Sequence, residues 1–261
     1  NWLQAMEGGI DSSHVSFLHS GGLKTDPLFR GAKGNKYNEA DKKPVFEVVE
    51  SDGGLHIGAR RNAEDGHYYW RVTPWIMPSF TMVPPRGDHP MHGHFWIPID
   101  DHNCWAWSFD YHPTRALSPE ERQAMEDGYG VHNQYVSGTF RPLQNKDNDY
   151  LMDREAQKRG DSYSGIWGIA MQDASLQESM GPIVDRTKEN LVSTDNGIIM
   201  ARHRLRKAVV ALRDKGVQPP GRTPEHQLVR SAARVLSPEE PFGEAMQDDL
   251  TARHGVKQTS V

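Results

Sequence analysis

The sequence predicts an α+β fold, in which a curved antiparallel β-sheet packs against helices and one long helix lies towards the C-terminal end. Three observations indicate this class. Strand-like segments follow one another between residues 44 and 113, a long helical pattern comes later at about 194–215, and strands and helices are segregated along the chain. Segregation favours a sheet that grips its helices over the alternating order of parallel α/β folds.

The first 44 residues divide into a helical segment and a loop. Residues 1–19 carry apolar side chains at helix-like spacing, namely Trp2, Leu3, Met6 and Ile10. The pair Gly8-Gly9 is expected to interrupt this helix. Residues 20–44 are rich in Gly, Lys, Asp and Asn, which predicts a loop.

Four segments alternate apolar and polar residues between turn residues, which predicts antiparallel strands. They are "PVFEVVES", "GLHIGARR", "HYYWRVTPWIMPSFTMVPP" and "GHFWIPIDDHNCWAWSFDYHP". In the last segment, Trp105, Trp107 and Phe109 point to one side of a strand. Cys104 lies beside these tryptophans and is expected to be a core residue.

Helix signals follow the strands. Ser118 predicts an N-cap, with Pro119 at the first helical position and Glu121 completing a capping box. Residues 141–164 are highly polar and predict a surface loop with a partial helix. The pattern at 194–215 predicts a long helix that ends at Gly216, with an apolar stripe of Ile198, Ile199, Leu205, Val209 and Leu212. The tail from Val217 is expected to wrap over the surface.

Composition limits the class of protein. The 261 residues are 36% hydrophobic, enough for a sizeable core, and carry a formal net charge of −5. Basic residues form no stripe, so nucleic acid is not an expected partner. No apolar run approaches the ~20 residues of a membrane span. The single cysteine excludes an internal disulfide and favours a cytoplasmic location, and the start at Asn1 suggests a piece of a longer protein.

The stretch "DSSHVSFLH" places Asp11, His14 and His19 within nine positions. Two histidines and a carboxylate on one face of an ion form the facial triad of non-haem iron(II) oxygenases. His14 and His19 are five residues apart, about 140° around an ideal helix, so they converge on one ion only if the helix is distorted between them. Asp11 and His14 are three apart and would share a helix face. The spacing alone also fits a polar helix face with histidines in ordinary roles.

A rival metal site is possible in "HPMHGHF". His92 and His94 would share one face of a strand, as in cupin metal sites, with His89 nearby. A cupin site also needs a Glu a few residues later, where this sequence has "FWIPIDD".

The segment "NWLQAMEGGIDSSHVSFLH" resembles the start of the catalytic domain in Rieske non-haem iron oxygenase alpha subunits, in the phthalate dioxygenase-like branch. The family pattern of acid, two residues, His, four residues, His fits Asp11, His14 and His19 without a gap. "MQDASLQESMGPIVDRTKENL" is similar to a second family segment, in which Asp173 matches the third iron ligand. "GHFWIPIDDHNCWAWSF" resembles a strand pair that lines the family's core, and the resemblance runs from Asn1 to roughly Leu212.

The resemblance implies a mononuclear iron(II) ion held by His14, His19 and Asp173, which activates dioxygen beside an aromatic acid. The outcome would be ring hydroxylation or oxidative O-demethylation of a methoxylated ring. Electrons would come from NAD(P)H through a reductase or ferredoxin. The family assembles as trimers, in which Asp11 would bridge the iron to the Rieske cluster of the next subunit. Arg60, Arg61 and Arg71 lie on or near predicted strands and are candidate anchors for a substrate carboxylate.

One departure concerns the electron supply. The family's two-iron two-sulfur Rieske cluster needs paired C-x-H and C-x-x-H segments, and this chain has neither. Residues 1–261 are therefore expected to form the mononuclear iron catalytic domain alone, with the N-terminal Rieske domain absent from the chain. Two other classes stay open: a cupin-like metalloenzyme that uses His92 and His94, and an aromatic-ligand-binding protein without redox chemistry.

Overall fold

A computed structural model of the chain describes residues 1–252. Its centre is an antiparallel sheet in which the first six strands are neighbours in chain order, and the last strand pairs with the third. The strands are β1 (Val45–Glu50), β2 (Gly54–Asn62), β3 (Tyr68–Ile76), β4 (Phe80–Val83), β5 (Met91–Pro98), β6 (Cys104–Tyr111) and β7 (Ala232–Leu236). The sheet is not closed into a barrel, and the predicted α+β class is confirmed.

The helices precede and follow the strands β1 to β6. They are α1 (Trp2–Ile10), α2 (Gly22–Thr25), α3 (Asn35–Ala40), α4 (Pro119–Glu126), α5 (Arg154–Arg159), α6 (Ile169–Ser179), α7 (Asn196–Lys215), α8 (Phe242–Ala245) and α9 (Gln247–Leu250). The capping box of Ser118 and Glu121 is present, and Gly216 ends α7 in the left-handed conformation, both as predicted. Among these helices, none has the length and apolar character that crossing a membrane requires.

Helix α1 passes through Gly8 and Gly9 without interruption, so the predicted break is wrong. Both glycines allow close packing. A Cβ atom on Gly9 would lie 3.0 Å from Oγ1 of Thr81 on β4, and one on Gly8 would lie 2.6 Å from the side chain of Gln177 on α6. The small residues thus let α1 lie directly on the sheet and on α6, which brings its C-terminal end to the centre of the fold.

Two regions contain more regular structure than predicted. Residues 20–44 include the short helices α2 and α3 instead of a loop throughout. The tail from Val217 does not only cover the surface, because its strand β7 pairs with β3 from Tyr68↔Leu236 to Val72↔Ala232. Strand pairing between residues so far apart depends on tertiary contacts, which a local pattern does not report.

The predicted apolar positions of two elements are only partly buried. On α7, Gly197 and Ala201 are buried and Ile198 and Leu205 pack on the core, whereas Ile199, Val209 and Leu212 are exposed. The sheet thus covers mainly the first half of this helix. On β6, Cys104 packs against the main core as expected, but Trp105 and Trp107 lie on the outer face and are exposed.

Candidate metal centre

Asp11 ends helix α1 and begins the segment that carries both predicted histidines. Its backbone is extended, and its carboxylate accepts hydrogen bonds from the backbone N–H groups of Ser13 at 2.8 Å and His14 at 2.9 Å. This side-chain turn, not a shared helix face, brings Asp11 next to His14. The expected helical relationship is therefore wrong, although the two side chains do meet.

The chain is distorted between the two histidines, as convergence requires. His14 begins a short 3₁₀ turn, His14–Ser16, which is followed by further turns up to His19. The two rings meet edge to face, with centroids 5.0 Å apart. His19 is buried and His14 is partly exposed.

Asp173 lies near the start of α6 and faces both rings. Its Oδ1 atom is 3.4 Å from Nε2 of His14 and 3.2 Å from Nε2 of His19. Between residues 1 and 252, these three side chains are the one group of His, Cys, Asp or Glu that could hold a metal ion, with ligand atoms within 4.8 Å of one another. The fold therefore brings together two segments more than 150 residues apart in the sequence.

Each histidine is oriented by a hydrogen bond from its other ring nitrogen. Nδ1 of His14 donates to Oδ2 of Asp11 at 2.9 Å, and Nδ1 of His19 donates to Oε1 of Gln172 at 2.7 Å. The Gln172 amide is itself fixed, because its Nε2 donates to the Ile166 carbonyl at 3.0 Å. Both Nε2 atoms are thus left as lone-pair donors.

Gln172 was not predicted from the sequence. Its one available signal was its position beside Asp173 in "MQD".

Charge at the cluster favours ionised carboxylates. Burial raises the pKa of Asp11, but the hydrogen bond and charge of His14 outweigh it and hold that pKa below its ordinary value. Burial also raises the pKa of Asp173, and the charges of His19 and His14 lower it below its ordinary value. The pKa of His14 is lowered by burial and raised by Asp11 and Asp173, with a net upward shift. Negative charge is therefore concentrated where a cation would bind.

The rival histidines are arranged differently. His92 hydrogen-bonds through Nδ1 to Asp110 at 2.7 Å, and the ring of His94 stacks on Trp96. Neither belongs to a metal-capable group of three in the part of the chain that the structure describes. The structure therefore gives no support to a cupin-like site at these positions.

The three candidate arginines occupy three different environments. Arg60 stacks on the ring of Tyr68, 4.1 Å from its centroid, on the opposite face of β2 from Arg61. Arg61 is buried and donates to the backbone oxygens of Asp41 and Ser12. These contacts occupy both guanidinium groups, although Arg61 lies close enough to Asp11 for the charge of that carboxylate to affect its pKa.

Arg71 is the candidate arginine that faces the metal cluster. It is buried on β3, close enough for its charge to lower the pKa of His14. Its Nη2 donates to the Pro84 carbonyl at 3.0 Å, while Nε and Nη1 have no hydrogen-bond partner in residues 1–252. Burial lowers the pKa of Arg71 from its ordinary value.

Two further buried polar groups accompany Arg71. Arg86 is 3% exposed and lies over the ring of Phe29, and its Nε finds no partner among the described residues. The hydroxyl of Tyr69 is likewise unpartnered. Burial holds the pKa of Arg86 well below its ordinary value, and the charge of Arg71 lowers it further. Arg86 lies in the "PPRGDHP" turn and was missed because a turn arginine is ordinarily exposed.

A cavity of about 340 Å³ lies beside the metal cluster. His19 forms part of its wall, together with residues of α3 and of the turns after α1. The amide of Asn38 also lines it and is buried without a hydrogen-bond partner in the described part of the chain. The volume is in the range of small-molecule sites in proteins.

Comparison with known families identifies the class of protein as the catalytic domain of a Rieske oxygenase alpha subunit. The family model that matches is described as LigXa C-terminal domain like and covers residues 1–235, and the chain belongs to this family. The resemblance that the two sequence segments indicated is thereby confirmed.

Curated relatives agree with this assignment. The chain is 35% identical to the 3-chlorobenzoate-3,4-dioxygenase oxygenase subunit of Comamonas testosteroni, over 85% of this chain and 53% of the relative. It is 31% identical to the phthalate 4,5-dioxygenase oxygenase subunit of Pseudomonas putida, over 81% and 49%. It is 25% identical to the phenoxybenzoate dioxygenase subunit alpha of Ectopseudomonas oleovorans, over 85% and 45%. The chain thus spans about half the length of the curated relatives it matches.

Proposed function

We propose that this chain carries the oxygen-activating site of an aromatic-acid oxygenase, which adds both atoms of dioxygen to the ring of a bound aromatic carboxylate. The observation that supports it most is the convergence of His14, His19 and Asp173, with both histidines tied back through Nδ1. The three relatives are all named dioxygenases, which favours ring dihydroxylation over O-demethylation.

The donor set fits iron(II). Two imidazole nitrogens and one carboxylate oxygen are the facial triad of non-haem iron oxygenases. Ligand atoms about 2.1 Å from an ion and at right angles to each other are about 3 Å apart. The separations of 3.4 and 3.2 Å between Asp173 and the two histidines are close to that value. When bound, iron would supply the centre at which dioxygen is reduced.

The surrounding residues hold the ligand set in place. Asp11 and Gln172 fix the ring orientations of His14 and His19 and keep the protons on Nδ1. Such partners raise the basicity of a histidine ligand and add to metal affinity. By resemblance to the family, Asp11 would also connect this centre to the electron-donating cluster of a neighbouring subunit in a homotrimer, with a reductase or ferredoxin supplying the electrons.

The substrate carboxylate is assigned to the buried arginines. An unpaired buried cation is costly, because it has lost its hydration without gaining an opposite charge. Arg71 and Arg86 are both buried and have no ion-pair partner among the salt bridges of residues 1–252. A bound carboxylate would accept a charge-assisted hydrogen bond from Nε or from Nη1 of Arg71, the two donors without a partner. The relatives are named for benzoate, phthalate and phenoxybenzoate, which supports this substrate class.

A metal-binding experiment tests the proposal. Purified protein is loaded with iron(II), desalted and assayed for iron per chain, beside His14→Ala, His19→Ala and Asp173→Ala. We expect about one iron in the parent and almost none in the variants, all of which remain folded by circular dichroism. His92→Ala is the matched control for the rival site and should retain iron. Iron loss in His92→Ala with retention in His14→Ala would reject the assignment, and no iron binding at all would favour a plain ligand-binding protein.

A further inference from the structure

A second cavity, of about 290 Å³, opens at the surface between two turns of the chain. One turn connects α2 to α3 and contributes Phe29 to the wall, and the other connects β4 to β5 and contributes Gly87. The two turns are joined directly, because the N–H of Gly34 donates to the carbonyl of Arg86 at 2.7 Å. This backbone hydrogen bond fixes the two walls of the cavity relative to each other.

The ring of Phe29 forms the inner wall of this cavity. It is 2% exposed, and the guanidinium of Arg86 lies over it, 5.2 Å from the ring centroid. The ring of His92 meets it edge to face, with centroids 5.0 Å apart. Arg86 and His92 contact the phenyl ring but are not part of the cavity wall. One phenyl ring therefore lies between the cavity and these buried polar side chains.

The strand register shows which surface lies behind that ring. Thr81 on β4 pairs with Trp75 on β3 and with His94 on β5, so these three side chains share one face of the sheet. Arg71 is four residues from Trp75 and His92 is two from His94, so both lie on that face as well. A carboxylate that passed the phenyl ring would thus reach the face that carries Arg71.

The backbone of Phe29 is fixed, so that only its side chain is free to move. Its N–H donates to the carbonyl of Asp26 at 3.1 Å, and its carbonyl accepts a hydrogen bond from Nδ2 of Asn35 at 2.9 Å. The cavity provides unfilled space next to the ring. Rotation about the side-chain bonds would therefore connect the cavity with Arg86 without any change in the backbone.

The mouth of the cavity carries positive charge. Arg30 and Lys33 line it and are exposed, and neither forms a salt bridge within residues 1–252. The acidic residue of the wall, Asp88, accepts a hydrogen bond from Nε2 of His112 at 2.9 Å. Two cations against one carboxylate favour the approach of an anion, and such steering raises association rates.

We propose that this cavity is the entrance for the aromatic carboxylate and that Phe29 is the gate residue that controls its passage. The inference rests on the proposed function, which assigns the substrate carboxylate to Arg71 and Arg86. Arg30 and Lys33 attract the anion at the mouth. The Phe29 ring then turns aside, and the carboxylate takes the place of the ring beside the Arg86 guanidinium.

The cavity beside His19 is the alternative entrance. Lys24 and Lys42 line it, so it could also attract an anion. Within residues 1–252, however, no hydrogen bond or cation–π contact joins its wall to Arg71 or Arg86. The contact between Phe29 and Arg86 therefore favours the cavity between the two turns.

Binding kinetics of an aromatic carboxylate test the gate. The purified chain is titrated with para-fluorobenzoate, and fluorine NMR exchange gives the association rate, the dissociation rate and Kd. Phe29→Ala should raise both rates roughly 10-fold and change Kd by less than about 3-fold, because it opens the path without removing a carboxylate contact. Phe29→Trp enlarges the gate and should lower both rates. The matched control is Phe242→Leu, which alters a buried ring stacked on Trp70 in a separate cluster and should change neither rate.

Charge variants locate the entrance. The double variant with Arg30→Gln and Lys33→Gln should associate about 3- to 10-fold more slowly and with a weaker dependence on salt, while its dissociation rate stays unchanged. The matched double variant with Lys24→Gln and Lys42→Gln removes the same charge from the other cavity and should associate normally.

Two results would overturn the proposal. The first is wild-type rates in the folded Phe29 variants, and if circular dichroism shows that Phe29→Ala does not fold, Phe29→Trp decides. The second is slower association in the Lys24 and Lys42 double variant with none in the Arg30 and Lys33 double variant. Equal affinity of Arg71→Met and wild type, or no binding to the wild type, would instead reject the proposed carboxylate site and the entrance with it.

Discussion

Gln172 and His19 are joined by a hydrogen bond of 2.7 Å between Oε1 of the glutamine and Nδ1 of the histidine. The next residue in the chain is Asp173, whose Oδ1 lies 3.2 Å from Nε2 of the His19 ring. Two consecutive residues of α6 therefore contact both nitrogens of one imidazole. The first sets its orientation and tautomer, and the second shares the position at which a metal would bind. The start of α6 thus controls two parts of the site together.

Replacing Gln172 should weaken metal binding without removing a ligand. In Gln172→Leu, the His19 ring keeps its space but loses the acceptor for Nδ1–H, so its Nε2 is no longer held towards the cluster. Loss of such a partner typically costs 10- to 100-fold in metal affinity, and we expect about that decrease. Competitive iron titration measures it. The control is Gln123→Leu on the exposed side of α4, and equal affinities for the two variants would contradict the prediction.

Arg71→Met should separate substrate binding from stability. Removing a charge-assisted hydrogen bond costs about 1.5–3 kcal/mol, so we expect benzoate to bind roughly 10- to 100-fold more weakly. The free energy of unfolding without ligand should fall little or rise, because the variant no longer buries an unpaired cation. Calorimetric titration and urea unfolding measure the two quantities. Arg60→Met, whose guanidinium stacks on Tyr68 on another face, should bind benzoate normally. Normal binding by Arg71→Met would remove this arginine from the substrate site.

Because of the buried imidazole of His89, the free energy of unfolding should decrease in mild acid. Burial lowers the pKa of His89 to about 3, and its Nε2 accepts the backbone N–H of Arg86 at 3.0 Å. Between about pH 6.5 and the folded pKa, the unfolded chain binds a proton that the folded protein does not. Stability therefore falls as the pH decreases through this window, by up to about 1.4 kcal/mol per unit from this group.

The variant His89→Gln isolates that contribution. Its free energy of unfolding, measured in urea between pH 7 and 4.5, should decline less steeply than that of the wild type. Parallel curves for the two proteins would mean that His89 is already protonated in the fold or is not buried.

Gly9→Ala should destabilise the contact between α1 and the sheet. The added methyl group would lie 3.0 Å from Oγ1 of Thr81 and 3.1 Å from Nε1 of Trp96, and these two groups are themselves joined by a hydrogen bond. Overpacking typically costs about 1–3 kcal/mol, which exceeds the gain of up to about 1 kcal/mol in helix propensity. Urea unfolding measures the net loss. Gly22→Ala, where the methyl group meets open space, should not destabilise, and equal effects at both positions would contradict the packing argument.

Local patterns predicted much of the framework and the three residues of the candidate metal cluster. The alternation of β1 to β6, the capping box at Ser118 and the stop at Gly216 are properties of short segments, and each was predicted correctly. His14, His19 and Asp173 were named from two segments that resemble one family. These features could be predicted because their residue types and spacings are restricted by backbone geometry and by the chemistry of the ligands.

The tertiary structure determined which environment each of several residues of the same type occupies. The sequence offered Arg60, Arg61 and Arg71 together, and the fold stacked the first on Tyr68, tied the second to backbone oxygens and left the third with unpartnered donors near His14. It also placed Gln172 against His19, buried Arg86, paired β7 with β3 and made Gly8-Gly9 a packing contact instead of a break. Each of these outcomes depends on contacts between residues far apart in the chain. Residue type and local periodicity do not indicate which distant part of the chain a side chain will contact. These contacts are therefore determined only by the tertiary structure.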